Sequence, residues 1–251
     1  MLKILQALKV YDCGFSLTRL GRDNDGGYII PDELMGRVKQ IVTCGVGDDI
    51  SFEVDALRKY SNIEKAFLFD PMVDFPAIPK DLAYQMFFYK VPAKDGISFP
   101  CESTLLKVDI EGNEWELFWE TPYLFLRGFD IIIVEFHFFT VASLQISCSP
   151  YFRKIFETFS AKNNKVIFKT YYDVIKRMNI DYKLIHIHPN NSLPLIEVDG
   201  VKFPPLLECT FVNKNLVNKL EEKPLNKIKL DIDQSNKTDR PDIEVGEFYV
   251  S

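Results

Sequence analysis

Acidic and imidazole side chains follow two apolar segments whose composition is typical of buried strands. Asp109 and Glu111 come directly after the run 105–108, and Glu135 and His137 end the next such run. Side chains alternate along a strand, so residues 135 and 137 lie on the same side of it. The carboxyl ends of buried parallel strands are where open α/β sheets bind ligands. The sequence therefore predicts one polar site that two neighbouring strands build together.

These residue types can move a proton. A histidine titrates near pH 6.5, so it can accept a proton from a neutral hydroxyl. Of the three histidines, His137 alone ends a buried strand beside other polar groups. We predict His137 as a general base, Asp109 as the second choice, and Glu135 as the group that orients one of them. The alternative is that Glu135 and His137 only satisfy each other and the nearby backbone, as buried polar groups commonly do.

The same three side chains offer a metal-assisted alternative. Asp109, Glu135 and His137 supply oxygen and nitrogen ligands that can hold Mg²⁺ or Mn²⁺ and polarise a hydroxyl. Histidine is an unusual ligand for Mg²⁺, so the sequence favours the metal-free base, and no residue is assigned to a metal. A divalent cation is therefore compatible with the site but is not the preferred prediction.

A glycine turn and a further acid precede this site in the chain. The apolar segment 38–44 leads into Gly45-Val46-Gly47, a helix that begins near Ser51, and a strand at 66–69 that ends in Asp70. An acid about 20 residues beyond such glycines suits the two hydroxyls of a ribose. The third glycine of the dinucleotide fingerprint is missing. The pattern predicts an adenosine-containing ligand and leaves a nicotinamide-dependent oxidoreductase as one alternative.

Hydrophobic periodicity predicts one α/β domain with a tail. Further strands are predicted at 85–92, 129–138, 181–188 and 205–213, a hairpin at 198–201, and helices at 1–13, 113–126, 151–160 and 171–178. Residues 1–214 form the predicted domain, within which residues 1–37 supply a helix and a cap on the substrate side. Residues 215–251 lose periodicity, which predicts an extended or partly ordered C-terminal extension.

Composition narrows the classes of partner. The net charge of −6 and the pI of about 5.2 argue against binding to a nucleic-acid polymer, which requires a basic surface. The five cysteines are odd in number and widely spaced, which favours free thiols in the cytoplasm. No apolar run is long enough for a membrane span. We therefore expect a cytoplasmic protein with a small-molecule ligand, for which a homo-oligomer is also compatible.

One segment resembles a known family. Lys107-Val-Asp-Ile-Glu-Gly-Asn-Glu-Trp115 is similar to the signature of the FkbM-type methyltransferases, which use S-adenosylmethionine. Other parts of the chain between roughly residues 15 and 213 are also similar to that family: the N-terminal element 21–28, the cofactor loop 44–49 and the later strand segments 134–137, 187–191 and 207–210.

The resemblance implies a fold and a cofactor. The fold would be a seven-stranded Rossmann-like sheet of the class I methyltransferases, parallel except for the last strand. S-adenosylmethionine would be converted to S-adenosylhomocysteine. By position, the cofactor contacts implied are Gly45 and Gly47 with Asp48 at the methionine part, Asp70 at the ribose, Asp95 near the adenine, and Asp109 facing the cofactor amine or the substrate.

The resemblance also implies an acceptor. The family methylates oxygen, often a sugar hydroxyl, which here suggests a nucleotide-activated sugar for a surface polysaccharide. Asp25, Tyr28, His188 and Asn190 flank strand ends and are the substrate-side candidates, although His188 fits the capping of a turn equally well. A phosphate-type oxygen or another small molecule is the alternative acceptor. A non-catalytic module that kept the fold is a further alternative, but such a module would be expected to lose the strand-end acids.

Overall fold

The structure is a computed structural model that describes most of the chain. The described residues are 1–95, 103–138, 164–198, 200–223 and 228–248. The predicted helix at 151–160 lies outside these ranges, as do Cys101 and Cys148.

Short strands alternate with helices along the chain, as the sequence predicted. The strands are β1 (Tyr11–Asp12), β2 (Leu17–Leu20), β3 (Tyr28–Pro31), β4 (Gln40–Cys44), β5 (Lys65–Phe69), β6 (Met86–Tyr89), β7 (Thr104–Val108), β8 (Ile131–His137), β9 (Tyr182–Pro189), β10 (Ile196–Val198), β11 (Val201–Phe203), β12 (Leu206–Asn213) and β13 (Glu221–Glu222). The α-helices are α1 (Leu2–Ala7), α2 (Asp32–Met35), α3 (Ser51–Lys59), α4 (Glu114–Glu120), α5 (Tyr123–Leu126) and α6 (Asn164–Asp181). Single 3₁₀ turns occur at Lys80–Leu82, Ala93–Asp95, Lys214–Leu216 and Val245–Glu247.

Seven of the strands form the central sheet, in the order β6-β5-β4-β7-β8-β12-β9. Neighbouring strands from β6 to β8 are parallel, and β12 is antiparallel to both β8 and β9. This arrangement confirms the predicted seven-stranded Rossmann-like sheet with an antiparallel last strand. The chain runs outward from β4 to β6 and then returns to place β7 beside β4. The strand order therefore reverses between β4 and β7, which is where open sheets bind ligands.

The two faces of the sheet bury separate apolar clusters. Along β7, Leu105 belongs to the cluster that holds α2, α3 and the β2–β3 hairpin, whereas Leu106 belongs to the cluster that holds α1, α4 and α6. This alternation follows from the two-residue period of a strand. Among the described residues, helices thus cover both faces, and the carboxyl ends of the parallel strands stay open to a ligand.

Two predicted helices have different limits in the structure. The helix predicted at 113–126 is divided into α4 and α5, because Pro122 lacks a backbone N–H and disfavours helical geometry in the residue before it. The helix predicted at 1–13 ends at Ala7, and the chain then pairs as a bridge from Val10 to Leu184 and as β1 with β13. Both differences reflect constraints that hydrophobic periodicity does not detect.

Part of the predicted C-terminal extension packs against the domain. Residues 228–248, which we name the C-terminal strap, pack against β9, β12 and the loop before β3. Ile243, Val245 and Phe248 are buried in one of the two core clusters. His186 Nε2 lies 2.8 Å from Asp233 Oδ1. The sequence did not reveal this packing because isolated apolar residues in a polar segment show no period.

Two further expectations from the sequence concern membrane-spanning segments and the state of the cysteines. No helix within the described ranges is long and apolar enough to cross a membrane. Cys13, Cys44 and Cys209 are free and buried, and burial raises the pKa of the Cys13 thiol to about 11.

Candidate active site at the carboxyl ends of the sheet

A cavity of about 1000 Å³ opens at the carboxyl ends of the parallel strands. Its walls come from the loops after β4, β5 and β7, the end of β8, the loop before β3, the turn after β9, and the C-terminal strap. The predicted site residues that line it are Asp25, Tyr28, Gly45, Gly47, Asp48, Asp70, Asp109, Glu135, His137 and Asn190. Residues far apart in sequence thus share one cavity, as the sequence predicted.

The glycine loop after β4 is shaped by its contact with the end of β7. Gly45 has a φ of +85°, and a Cβ atom there would lie 1.6 Å from the carbonyl oxygen of Asp109. Gly47 also has a positive φ, of +58°, but a Cβ atom there would meet nothing within 4 Å. Close packing therefore explains why residue 45 is a glycine. At Gly47 the absence of a side chain leaves open space beside the cavity.

Asp70 holds this loop in place. Its Oδ2 accepts hydrogen bonds from the N–H groups of Val46 and Gly47 at 3.0 and 3.1 Å. Its Oδ1 accepts from the N–H groups of Met72 and Val73 at 2.7 and 3.2 Å. Burial alone would raise the pKa of Asp70, but these backbone donors hold it below the usual range. A carboxylate has about four acceptor positions. A contact with a ribose therefore requires one of these bonds to be exchanged.

His137 is oriented by a buried acid that the sequence analysis did not single out. The Nδ1 atom of His137 lies 3.1 Å from Oε1 of Glu114, which is fully buried. The same oxygen accepts from the N–H groups of Ile110 and Gly112 at 2.9 and 3.1 Å. Glu114 lies in the first turn of α4, where an acid commonly binds free backbone N–H groups. A glutamate in the first turn of a predicted helix was therefore the sequence signal that could have indicated this contact.

The backbone of His137 is fixed as well. Trp115 donates from Nε1 to the carbonyl oxygen of His137 at 2.8 Å, and its ring stacks on Phe136 with centroids 4.4 Å apart. Trp115 is buried and therefore belongs to the core. His137 is held at its backbone carbonyl and at Nδ1, so the direction of Nε2 is fixed.

That second nitrogen faces carboxylates. His137 Nε2 lies 3.9 Å from Asp109 Oδ1 and 3.5 Å from Glu111 Oε2. The hydroxyl of Tyr28 donates to the other oxygen of Asp109 at 3.0 Å. One ligand atom each from Asp109, Glu135 and His137 lies within 4.8 Å of the others. The cluster predicted from two strand ends is therefore assembled.

Mutual electrostatics set the protonation of this cluster. Burial lowers the pKa of His137, but the charge and hydrogen bond of Glu114, together with Glu135 and Asp109, outweigh it and hold the pKa well above the usual range. Burial raises the pKa of Asp109, against the opposing charges of His137 and Lys107. Burial and the charge of Asp109 raise the pKa of Glu135. The raised pKa of His137 favours the protonated imidazole, which donates a hydrogen bond and does not accept a proton.

Two predicted site residues do not line the cavity. Asp95 is exposed on a 3₁₀ turn beside it. His188 is buried between Glu208 and Asp242, with its ring nitrogens 3.4 and 3.6 Å from their oxygens. Burial lowers the pKa of His188, but the neighbouring carboxylates of Asp242 and Glu208 outweigh this and raise it to about 10. His188 thus joins the strap to the sheet, and its predicted substrate role has no support from its position.

The strap contributes to the cavity wall, which the sequence did not indicate. Lys237 lines the cavity, and its Nζ atom lies 3.5 Å from Asp25 Oδ2. The Lys237 backbone N–H donates to Asn191 Oδ1 at 2.7 Å. Asn190 lies next to Asn191 and donates to Glu135 Oε1 at 2.8 Å. The strap therefore supports two sides of the cavity, the Asp25 loop and the turn after β9.

Comparisons with known proteins give a likeness of fold. No family model matches the sequence, and no curated protein matches it. Among solved structures, a fibrillarin pre-rRNA processing protein of Methanococcus jannaschii is 10% identical with a TM-score of 0.36, covering 71% of this chain and 68% of that chain. A putative RNA methyltransferase of Pyrococcus horikoshii is 11% identical with a TM-score of 0.33, covering 73% and 85%. A spermidine synthase of Thermotoga maritima is 13% identical with a TM-score of 0.38, covering 94% and 86%.

These similarities concern the fold and transfer no activity. The similar structures carry the names of different enzymes, and one fold hosts many chemistries. Membership of the FkbM-type family is not shown by any of them. The function must therefore be argued from the residues of the cavity.

Proposed function

We propose that this protein is an S-adenosylmethionine-dependent O-methyltransferase whose acceptor is a hydroxyl of a small polar molecule. The observation that carries the proposal is the shared cavity, which brings the Gly45–Gly47 loop and the Asp109–Glu135–His137 cluster together where the strand order reverses. We favour a nucleotide-activated sugar of a surface polysaccharide as the acceptor and S-adenosylhomocysteine as the second product.

The size of the cavity supports two ligands. Its volume of about 1000 Å³ lies at the upper end of ordinary small-molecule pockets, which span roughly 300 to 1000 Å³. The open space beside Gly47 suits the methionine part of the cofactor. Asp70 lies on the wall at the end of β5, where a ribose binds in comparable sheets. The acceptor then lies toward Tyr28, Asn190 and the strap.

The strand-end cluster supports proton removal from a hydroxyl. When bound, S-adenosylmethionine supplies an electrophilic methyl group on a sulfonium. The acceptor oxygen forms a bond to this methyl while the carbon–sulfur bond breaks, and the hydroxyl proton must leave. The raised pKa of His137 favours its protonated form, so we assign proton acceptance to Asp109. His137 Nε2–H then donates to the acceptor oxygen and positions it.

The cavity wall carries more acids than cations, and we assign the contact with an anionic acceptor to three of its cations. Arg22, Lys94 and Lys237 line the cavity. Arg22 and Lys237 are about half exposed, at 47% and 46% of the side chain, and pair with Asp49 and Asp25 at 3.3 and 3.5 Å. Exposed pairs of this kind contribute little free energy, so a phosphate can displace them at small cost. A sugar that carries a diphosphate matches this combination of cations and hydroxyl-directed chemistry.

A methyl-transfer screen with one variant tests the proposal. Wild-type protein is incubated with S-adenosylmethionine and a panel of nucleotide sugars, free sugars, phosphate compounds and RNA, and methylated product is detected by mass spectrometry. We expect methylation of a nucleotide sugar, and we expect Asp109→Asn to lower kcat by about 10²–10⁴-fold because it removes the proton acceptor.

The control variant is Glu116→Gln, which changes an exposed carboxylate of the cavity wall outside the cluster. Its kcat should remain near the wild-type value. Methylation of RNA alone would refute the proposed acceptor class. Near-normal turnover of Asp109→Asn would refute the proposed proton acceptor.

A further inference from the structure

A lysine of β7 and a glutamate of α3 form a buried ion pair that the proposed proton transfer does not use. Lys107 Nζ lies 3.6 Å from Glu53 Oε1, and the two side chains are 6% and 0% exposed. Glu53 Oε1 also accepts from the Thr43 hydroxyl at 2.6 Å, whereas Glu53 Oε2 is buried without a hydrogen-bond partner among the described residues. A buried ion pair adds little stability relative to apolar side chains of similar size. Stability alone therefore does not account for this pair.

The ammonium of this pair lies over the ring of Tyr28. Lys107 Nζ is 4.9 Å from the centroid of the Tyr28 ring and 5.9 Å from that of the Phe52 ring. Phe52 in turn meets Tyr28 edge to face, with centroids 5.7 Å apart. An aromatic face attracts a cation, and the attraction is stronger where water is excluded. Lys107 and Phe52 therefore fix the position of the Tyr28 ring, which is buried.

The Tyr28 ring carries the hydroxyl that contacts the proposed proton acceptor. This hydroxyl donates to Asp109 Oδ2 at 3.0 Å. Burial and the charge of Asp109 raise the pKa of Tyr28 well above its usual range, so the hydroxyl keeps the proton that it donates. Burial raises the pKa of Asp109, and Lys107 and the Tyr28 hydroxyl are among the groups that oppose this rise. The lysine and the tyrosine therefore favour the same ionised carboxylate.

We propose that Lys107 is a positioning residue for the methyl transfer, because it holds Tyr28 so that the tyrosine hydroxyl stays on Asp109. Glu53 fixes the ammonium in turn, so the buried pair orients the proton acceptor through Tyr28. One oxygen of Asp109 is then held by the hydroxyl, and the other, 3.9 Å from His137 Nε2, is left to accept the proton. The catalytic effect rests on the proposed function, whereas the contact of Lys107 with Tyr28 does not.

Paired substitutions separate positioning from stability. Lys107→Met leaves Glu53 buried without a cation, so we expect both the Tm and kcat to fall. The further change Glu53→Gln removes the second charge and still accepts from Thr43, so the Tm should return toward the wild-type value. We expect kcat of this paired variant to stay at least about tenfold below the wild type, because Tyr28 remains without the ammonium. Recovery of kcat together with the Tm would show that the pair is only structural and would overturn the proposal.

A double-mutant cycle tests whether Lys107 acts through Tyr28. Tyr28→Phe, which removes the hydroxyl, is introduced into the wild type and into the paired variant. We expect the same kcat in both resulting proteins, because loss of the hydroxyl already removes what Lys107 holds in place. Losses of kcat that multiply would contradict this coupling. Lys183→Met is the control, because Lys183 Nζ lies 5.2 Å from the centroid of Tyr11 but does not line the cavity, and its kcat should match the wild type.

A spectroscopic measurement on the full-length protein requires no acceptor. The tyrosines are replaced by 3-fluorotyrosine, and the ¹⁹F resonance of residue 28 is assigned by its loss in Tyr28→Phe. Asp109→Asn should shift this resonance in the wild type and in Lys183→Met. In the paired variant Asp109→Asn should shift it much less, because the hydroxyl has already left the carboxylate.

This measurement separates the failure of the two proposals. An equal shift on Asp109→Asn in the wild type and in the paired variant would overturn the positioning role alone, whatever the methyl-transfer screen shows. A shift that the paired variant abolishes, in a wild type that methylates no acceptor, would support the contact and overturn the proposed function alone.

Discussion

The protonation state of a single histidine decides how the site can work. Glu114 raises the pKa of His137 and fixes its orientation. His137 and Asp109 were both predicted from the sequence, because strand-end acids and a histidine at alternate positions are visible in a linear pattern. The assignment of roles was not, because it depends on Glu114, which reaches His137 only after α4 packs against β8. On these grounds we propose Asp109, the second choice of the sequence analysis, as the proton acceptor.

The proposed roles predict a bell-shaped dependence of kcat on pH in the presence of EDTA. Activity should fall as pH decreases through the pKa of Asp109, which burial raises above its usual value, because the base becomes protonated. Activity should also fall as pH increases through the pKa of His137, which is held well above the usual range, because the donor loses its proton.

The variant His137→Gln tests this assignment. The alkaline limb should disappear in this variant while the acid limb remains, as a full pH–rate profile would show. Because the two groups interact, the limbs report the pair rather than isolated residues. A wild-type rate that instead rises through neutral pH and stays high would indicate that neutral His137 is the base.

At the scale of elements, the C-terminal strap is the part that the sequence least revealed. The strands and the glycine turn were predictable because their apolar runs and punctuating residues are local signals. The strap is held by side-chain contacts with residues about 50 to 200 positions away, such as Gln234 with Asn24 and Asp242 with His188. Contacts of this kind leave no periodic pattern in the sequence, so the packing of the strap is seen only in the three-dimensional structure.

One prediction for the strap concerns alkaline pH. The pKa of His188 is about 10 in the folded protein, above the unfolded value of about 6.5. Its contribution to stability is therefore fully present below the unfolded pKa and is lost as pH rises through 10. The Tm of the wild type should decline between pH 7 and 10.5, and His188→Gln should show a smaller decline over the same range. Parallel declines in the two proteins would show that His188 does not couple the strap to pH.

A second prediction for the strap concerns Asn191, which is buried. Its Nδ2 atom lies 2.8 Å from Ser235 Oγ and 2.9 Å from the carbonyl oxygen of Lys237, and its Oδ1 accepts from the Lys237 N–H. Asn191→Ala removes the partner of these part-buried groups, so we expect a loss of about 1–3 kcal/mol in the free energy of unfolding. Urea denaturation measures the loss, and limited proteolysis should show faster cleavage within residues 228–248. The exposed Asn218→Ala is the control, and equal stability of the two variants would contradict the proposed role of Asn191.

At the scale of the whole molecule, the cavity exists because the chain reverses its strand order between β4 and β7. The sheet and the gathering of strand-end residues were predictable, because parallel strands place their carboxyl ends at one edge. The role of Asp70 was only partly predictable. Its position at the end of a strand was predicted, but its four hydrogen bonds from backbone N–H groups were not. The proposed function depends on whether the space beside the glycine loop receives S-adenosylmethionine.

The most direct test is a calorimetric titration of S-adenosylmethionine into the wild type and Gly47→Asn. Asparagine tolerates the positive φ at this position, and its side chain would enter the open space beside the loop. Gly200→Asn is the matched control, because Gly200 also has a positive φ, of +74°, and open space around it, but does not line the cavity. The proposal predicts saturable binding to the wild type and to Gly200→Asn, and at least about tenfold weaker binding to a folded Gly47→Asn, a loss of about 1.4 kcal/mol or more. Absence of binding to the wild type, or equal binding to all three proteins, would contradict it.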